Sequence, residues 1–183
     1  MMKNIIIIFI ISILILPIYA CKAQNTTITF NDITVDIPKD FKKGFLDNTV
    51  AVDNSVEFSE SYGVERKTAI YTVVYIKYKL AYSGRVSLEN ARNTVIDGLR
   101  NNKAIQEFQI VNEGPVEGYE NSYQILLSFY YGPNKTYHKS FLMLHDNALL
   151  QIMCMYNANS KKDDKEINNI INSVRILENN TNN

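Results

Sequence analysis

Residues 121–156 read NSYQILLSFYYGPNKTYHKSFLMLHDNALLQIMCMY, which is three apolar runs separated by two short polar breaks. The first run is apolar at the odd positions from Tyr123 to Tyr131. The breaks, Gly132–Lys135 and Asp146-Asn147, are rich in residues that favour turns. Turns this short join antiparallel neighbours. The stretch therefore predicts an antiparallel meander of three strands.

The second and third runs, Thr136–Leu144 and Ala148–Tyr156, are apolar on both faces in the halves nearest their shared turn. The residues that show this are Phe141, Leu142, Met143, Leu144, Leu149, Leu150, Ile152 and Met153. Strands that are apolar on both faces are typical of the centre of a sheet with layers on both sides. We therefore predict that these two strands are central.

Two helices are predicted beside this meander. Leu88–Asn101 carries an apolar stripe and follows Ser87, a residue type that caps helices. The second helix follows Asn159-Ser160, and its stripe has the spacing i, i+3, i+4, i+7. The residues of that stripe are Ile167, Ile170, Ile171 and Val174. Helices packed on the faces of an antiparallel sheet give an α+β layered domain.

The strands upstream begin with Gln24–Pro38, two alternating runs around Asn31-Asp32 that predict a hairpin. Val50–Val52 and Val56–Phe58 are short strand candidates. Ala69–Tyr82 is the longest strand pattern in the chain. No repeat or linker interrupts the pattern, so we predict one domain over residues 26–177.

The two faces of the Ala69–Tyr82 strand differ in composition. The even positions from Ile70 to Leu80 are mostly apolar and are predicted to face the core. The odd positions are amphipathic, and four of them form a candidate interaction surface: Tyr71, Tyr75, Lys77 and Lys79. Tyrosine is favoured at interfaces because it is large, rigid and amphipathic. The alternative is that a helix covers this face and the tyrosines belong to the rim of the core.

This order of elements resembles the PsbP/Mog1-like group of small domains. The resemblance covers most of residues 26–177 and rests on the Ile33–Phe41 opening, the mid-chain helix, the Tyr123–Tyr156 meander and the closing Ile167–Ile176 helix with Ile171-Asn-Ser173. It implies an α+β fold and a mostly non-catalytic role, since the group includes bacterial lipoproteins, secreted proteins of unassigned role and accessory subunits of larger complexes. It transfers no functional residue to this chain.

The N-terminus has the three-part pattern of a secretory signal peptide, predicted over residues 1–20. Lys3 supplies the positive region, and Ile5–Leu16 is an apolar run broken only by Ser12. Pro17 then interrupts the run. A membrane-spanning helix needs about 20 apolar residues, so a permanent span is the weaker interpretation.

Two cleavage sites compete in this segment. Ile18-Tyr19-Ala20-Cys21 resembles a bacterial lipobox, although Tyr19 is bulky where a small residue is usual. Cleavage there predicts a lipid on Cys21 (diacylglycerol plus an acyl chain such as palmitate), with residues 21–25 as a tether. Several acyl chains anchor a protein stably, at about 0.8 kcal/mol per buried methylene. The rival site precedes Gln24 and would release a soluble protein.

The composition excludes several function classes. The chain has 183 residues, with 19 basic and 19 acidic side chains, and this balance argues against nucleic-acid binding. Two cysteines offer no disulfide framework. Neither a glycine-rich phosphate loop nor a calcium-loop spacing occurs in the sequence. Residues 178–183 are asparagine-rich and are predicted to be a disordered tail.

Few residues are candidates for catalysis or metal binding. His138 and His145 are an odd number of residues apart on one predicted strand, so they face opposite sides and are not expected to share a metal. Cys154 is most simply a buried apolar residue. If the last two strands pair around Asp146-Asn147, Cys154 lies opposite residue 139, so a pairing with His138 remains open. We predict no catalytic residue, no metal site and no cofactor.

These observations predict an exported, lipid-anchored, non-enzymatic protein of the cell envelope that acts as a binding or accessory module. Its partners would be the membrane, through the lipid, and an unidentified envelope protein. The alternative is a soluble or anchored carrier of a small apolar ligand, with a cavity between sheet and helix. A thiol-dependent enzyme built on Cys154 is a third hypothesis.

Overall fold

The structure is a computed structural model and describes residues 25–46 and 54–177. Several predictions lie outside the described residues. They are the signal peptide, the lipid-anchor Cys21, both cleavage sites, the strand at Val50–Val52 and the tail after residue 177.

Seven antiparallel strands form the main sheet: β3 (Lys42–Lys43), β4 (Val56–Glu65), β5 (Ala69–Tyr78), β6 (Ile105–Gly114), β7 (Ser122–Tyr131), β8 (Asn134–His145) and β9 (Ala148–Asn157). Their order across the sheet is β3-β4-β5-β9-β8-β7-β6. The predicted meander is confirmed as β7-β8-β9. Its last two strands lie inside the sheet, as their two apolar faces predicted.

A smaller sheet contains β1 (Asn25–Phe30), β2 (Ile33–Pro38) and β10 (Arg175–Ile176), with β2 in the middle. The predicted hairpin is therefore confirmed. Its turn places Asn31 at φ 54°, a left-handed conformation that asparagine tolerates better than most residues.

The helices are α1 (Leu88–Arg100), close to its predicted range, and α2 (Lys161–Ile171). The prediction that the closing helix runs to Ile176 is wrong, because Arg175–Ile176 leave the helix and pair with β2. The Ser87 hydroxyl accepts a hydrogen bond from the Asn90 amide at 3.1 Å, and Ser160 caps α2 in the same way through the Asp163 amide. A 3-10 helix, Leu80–Arg85, precedes α1. None of the helices among the described residues has the length and apolarity needed to cross a membrane.

The two helices pack on opposite faces of the main sheet. The face toward α2 and the smaller sheet, which we call the closed face, includes Tyr71, Val73, Tyr75, Phe141, Met143, Leu150, Ile152, Cys154 and Tyr156. The face toward α1, which we call the cleft face, includes Ile125, Leu127, Phe129 and Leu142, together with the sheet residues Ile76, Leu149 and Gln151. The α+β layered fold is therefore confirmed.

The structure corrects two expectations about the Ala69–Tyr82 segment. The strand ends at Tyr78 because its partner β9 begins at Ala148, opposite Lys77, and offers no further ladder. The odd positions, not the even ones, face the larger core: Tyr71, Val73 and Tyr75 are buried in it. The middle of this strand is buried on both sides, at Val73 and at Val74, so alternation alone did not show which side carries the larger core.

Candidate binding cleft on one face of the sheet

A buried carboxylate fastens α2 to the closed face. Asp163 is only 3% exposed and accepts hydrogen bonds from the hydroxyls of Thr68 and Tyr71, each at 2.7 Å, and from Ser160. Burial by itself would raise the pKa of Asp163, but these hydrogen bonds outweigh it and hold the pKa below its ordinary value. Asp163 therefore holds α2 on the sheet through buried hydrogen bonds, in addition to placing a negative charge in the first turn of the helix.

A second acidic group extends this contact. Asp164 accepts hydrogen bonds from Lys139 Nζ at 2.8 Å and from the Tyr156 hydroxyl at 2.7 Å. Lys139 also donates to the Asn168 side chain at 3.0 Å. Burial alone would raise the pKa of Asp164. The hydrogen bonds from Lys139 and Tyr156 outweigh that effect, so the pKa of Asp164 lies below its ordinary value. Through these hydrogen bonds, Asp163 and Asp164 of α2 bind to side chains of the sheet and of the loop before β5.

Cys154 and His138 lie on opposite faces of the sheet. Cys154 pairs in register with Tyr71 and Lys139 on the closed face, whereas His138 pairs with Leu127 on the cleft face. The open question of a Cys154–His138 pair is therefore answered against the pair. Burial raises the pKa of the Cys154 thiol well above its ordinary value, so little nucleophilic thiolate forms.

His138 is itself a buried residue with an internal partner. Its Nε2 lies 2.6 Å from the Ser140 hydroxyl. Burial lowers the pKa of His138 to about 4, so the imidazole is neutral near pH 7. Every buried side-chain nitrogen or oxygen in the described ranges has a hydrogen-bond partner.

Of the four residues predicted as an interaction surface, the two tyrosines are not accessible to a partner. Tyr71 and Tyr75 are 1% and 2% exposed, inside the core on the closed face. Lys77 pairs with Glu57 at 3.0 Å, and Lys79 Nζ donates to the Asn54 carbonyl oxygen at 2.7 Å. The alternative stated above is right that a helix covers this face, since α2 and the smaller sheet cover both tyrosines, but they lie inside the core and not at its rim.

The concave site that the sequence did not locate is a cleft of about 480 Å³ on the cleft face. Four sheet residues form its floor, namely Ile76, Tyr78, Leu149 and Gln151. Its walls come from the 3-10 helix, the two residues that link it to α1, α1 itself and the residue before β4. These wall residues are Tyr82, Arg85, Val86, Ser87, Asn90, Ala91, Thr94 and Ser55. The volume lies within the range of small-molecule sites, roughly 300–1,000 Å³.

The cleft exists because α1 covers only part of this face. The helix packs on β6, β7 and β8, so β5 and β9 are left without a helix above them at Ile76 and Leu149. The 3-10 helix then closes one side, held by hydrogen bonds from the Lys79 amide to Ser55 and from the Tyr82 amide to Lys79. Other concave regions of similar size lie over charged surface residues, such as Lys162, Lys165 and Glu166.

One charged side chain lines the cleft. The Arg85 guanidinium lies over the Tyr82 ring, 5.4 Å from its centroid. None of the lining residues is acidic, and no ion pair joins Arg85 to an acidic side chain in the described part of the chain. The sequence pattern pointed neither to Arg85 nor to the uncovered part of β5 and β9.

A group of metal-ligand type lies at the far end of β8. Asp32, His145 and Asp146 bring one ligand atom each within 4.8 Å of one another. His145 Nε2 is 2.8 Å from Asp32 Oδ2, and that hydrogen bond accounts for both groups without an ion. Asp146 is exposed and 4.0 Å from His145. His138 is not part of this group.

Comparison with known proteins gives similarity at the level of the fold. The solution structure of a cyanobacterial PsbP, CyanoP from Synechocystis sp. PCC 6803, matches with a TM-score of 0.60 at 7% identity, over 85% of this chain and 94% of that one. A Pseudomonas aeruginosa protein of unknown function matches with a TM-score of 0.36 at 9% identity, over 74% of this chain and 84% of that one, which is too low to support an argument. No family model and no curated protein matches the chain.

Proposed function

The domain has a PsbP-like fold, and we propose that the protein is an exported, lipid-anchored, non-enzymatic binding or accessory module of the cell envelope. The N-terminal sequence supports export, and Ala20-Cys21 supports the lipid anchor. The fold supports the accessory role because the resemblance described above includes such proteins.

One observation carries the preference for binding over catalysis. The side chains with suitable chemistry, such as Cys154, His138 and Asp163, lie inside the fold, where Asp163 and His138 use their polar atoms in internal hydrogen bonds and Cys154 is fully buried. The accessible cleft instead presents apolar and uncharged polar groups around Arg85. Such a surface holds a ligand by shape and solvent exclusion more readily than it activates one.

The anchor is tested by Cys21→Ser in the producing bacterium. We expect loss of incorporated radiolabelled palmitate and movement of the protein from the membrane fraction to the soluble fraction. Cys154→Ala is the matched control, because it removes the other of the two cysteines. We expect this control to leave labelling unchanged. Retention of label in Cys21→Ser would contradict the anchor, and a mature chain beginning at Gln24 would favour the soluble form.

The accessory role is tested by native mass spectrometry of the full-length protein after gentle extraction from its own membranes. We expect a stoichiometric second polypeptide bound to the lipidated chain. A lipidated chain that is always recovered alone would contradict the accessory role and leave the second candidate.

That second candidate is a carrier of a small apolar ligand, and the cleft is the observation that favours it. The floor residues Ile76 and Leu149 are apolar, and the volume is of ligand size. Organic extraction of the purified protein, followed by mass spectrometry, is expected to release a small molecule that is absent from a Thr94→Trp variant, whose indole would occupy the cleft. Equal recovery from both proteins would contradict the cleft as the carrier site.

A further inference from the structure

We infer that the cleft binds a single-chain amphiphile with one anionic headgroup, whose charge is matched by Arg85 and whose chain lies on the sheet at Ile76 and Leu149. This inference rests on the carrier function proposed above and adds the class of ligand. It is carried by the distribution of charge and apolar surface within the cleft.

The first step is the apolar floor. Ile76 and Leu149 are neighbours in register on β5 and β9, so their side chains project side by side from the sheet. Ala91 of α1 faces them across the cleft with a single methyl group, which leaves the space open. Leu149 is only 6% exposed and Ile76 is half-buried, so the apolar floor that a hydrocarbon chain would remove from water lies mainly at Ile76.

The second step is the charge. Arg85 is the one ionisable cation among the lining residues, and no lining carboxylate neutralises it. The Tyr82 ring supports the guanidinium from one side and leaves its N–H groups available. A planar guanidinium binds a carboxylate or phosphate through charge-assisted hydrogen bonds. The first turn of α1 lines the same end through Ser87 and Asn90, and its dipole has the same sign as Arg85.

The third step excludes other ligand types. The remaining polar groups, including Asn90, Thr94 and Gln151, are uncharged, so a cationic ligand would meet Arg85 without a compensating anion. A polyanion would need several cations and finds one. A fully apolar ligand would gain nothing from Arg85, whose exposed guanidinium stays in water when such a ligand binds. An anion with a single chain satisfies both parts of the site.

The absence of tryptophan from the chain permits a direct test. Tyr82→Trp places a sole indole in the cleft, beneath Arg85. Phe108→Trp is the matched control reporter, because Arg100 lies 5.4 Å from the Phe108 ring at the other end of α1. The probes are dodecanoate and dodecanol below their micellar concentrations, because they share one chain and differ in charge.

We expect dodecanoate to shift the Tyr82→Trp emission saturably, with at least tenfold tighter binding than dodecanol, and to leave Phe108→Trp unchanged. Adding Arg85→Gln to the reporter should remove the tenfold preference, whereas Arg85→Lys should retain most of it. Arg100→Gln should have no effect. The folded state of each variant is checked by circular dichroism.

Two results would overturn the inference in different ways. Equal affinity for dodecanoate and dodecanol, or a preference that survives Arg85→Gln, would refute the anionic headgroup while the carrier function stands. Binding of neither probe to a folded Tyr82→Trp protein would refute both the ligand class and the carrier function. The Cys21 and native mass spectrometry experiments would still decide the anchored accessory role independently.

Discussion

The two faces of the main sheet belong to the same strands but are covered by different elements and to different extents. The closed face is covered by α2 and the smaller sheet, and its polar groups, such as Asp163 and Lys139, are satisfied inside it. The cleft face is covered by α1 and, at one side, by the 3-10 helix, and part of β5 and β9 is left open. The difference assigns stability mainly to the closed face and ligand access to the cleft face.

This division has a physical reason. A buried carboxylate is tolerated only when its hydrogen bonds compensate for lost solvation, and this requires a tightly closed surrounding. A binding cleft requires the opposite, namely apolar surface left without a protein partner. One sheet satisfies both requirements because its two faces are covered by different elements. The following predictions change one face at a time, from the largest expected effect to the smallest.

Ile171→Asp should unfold the domain. Ile171 is 3% exposed on the stripe by which α2 docks on the closed face, and a charge buried there without a partner costs several kcal/mol. That cost is comparable to the total stability of a typical domain, about 5–15 kcal/mol. Thermal unfolding followed by circular dichroism checks it. Asn172→Asp, at the next position, which is exposed, is the control and should melt within a few degrees of the parent. An unchanged melting temperature for Ile171→Asp would refute the docking of α2.

Asp163→Ala should lower the free energy of unfolding by about 3 kcal/mol, because it leaves the Thr68 and Tyr71 hydroxyls without their acceptor in a buried site. Urea titration at neutral pH measures this change. Asp97→Ala on α1, where the carboxylate is exposed, is the matched control on the other face and should change stability by less than about 0.5 kcal/mol. Equal changes in the free energy of unfolding for the two substitutions would show that the buried carboxylate on the closed face contributes no more to stability than an exposed one.

The two faces should also respond to acid in different pH ranges. The pKa of His138 is about 4 in the folded protein and near 6.5 when unfolded, so the unfolded chain takes up the proton first. Its contribution to stability is complete above pH 6.5 and is lost as the pH falls toward 4, by up to about 3 kcal/mol. Asp163 and Asp164 have lowered pKa values, so their contributions persist above their unfolded pKa and are lost only at lower pH.

His138→Gln should therefore flatten the dependence of unfolding free energy on pH between 6.5 and 4, while the decline at lower pH remains. Glutamine keeps a hydrogen-bonding group for the Ser140 hydroxyl and carries no proton in this range. Urea titrations at a series of pH values measure the slope. A slope that is the same in the parent and the variant would mean that His138 does not titrate as a buried group.

Thr94→Trp should have the smallest effect on stability, within about 0.5 kcal/mol, because Thr94 is exposed on α1 and its side chain only returns to the Asn90 carbonyl oxygen. It should nevertheless weaken dodecanoate binding at least tenfold, since the indole fills the cleft. Calorimetric titration of the parent and the variant compares the affinities. Unchanged affinity would place any binding outside the cleft, whereas a large loss of stability would mean that this wall belongs to the core.

Much of the fold was predictable because local patterns were strong. The apolar stripe of α2 specified its docking face, and Ile167, Ile170 and Ile171 are buried as predicted. Val174 is buried as well, although it lies beyond the end of the helix. The Asp146-Asn147 turn set the register of β8 with β9, which places Cys154 opposite Lys139 as expected. In such segments the periodicity and the turn residues agree, so tertiary contacts do not alter the result.

The candidate site was less predictable than the elements around it. Tyr71 and Lys77 both occupy odd positions of β5 and so share one side of the strand. The pattern alone suggested that this side is accessible. Burial of Tyr71 depends on α2, whose residues Asp163 and Asp164 come about ninety positions later in the chain. The same holds for His138 and Cys154, which are close in register but separated by the thickness of the sheet.

The order of strands and helices, the turns and the apolar docking stripe of α2 follow from residues close together in the chain, because backbone conformation and amphipathic periodicity are local properties. Which side of β5 carries the larger core, the compensation of Asp163, and the cleft beside Arg85 arise only when distant segments pack together. A cleft is space that no segment fills, so its position depends on where every covering element ends.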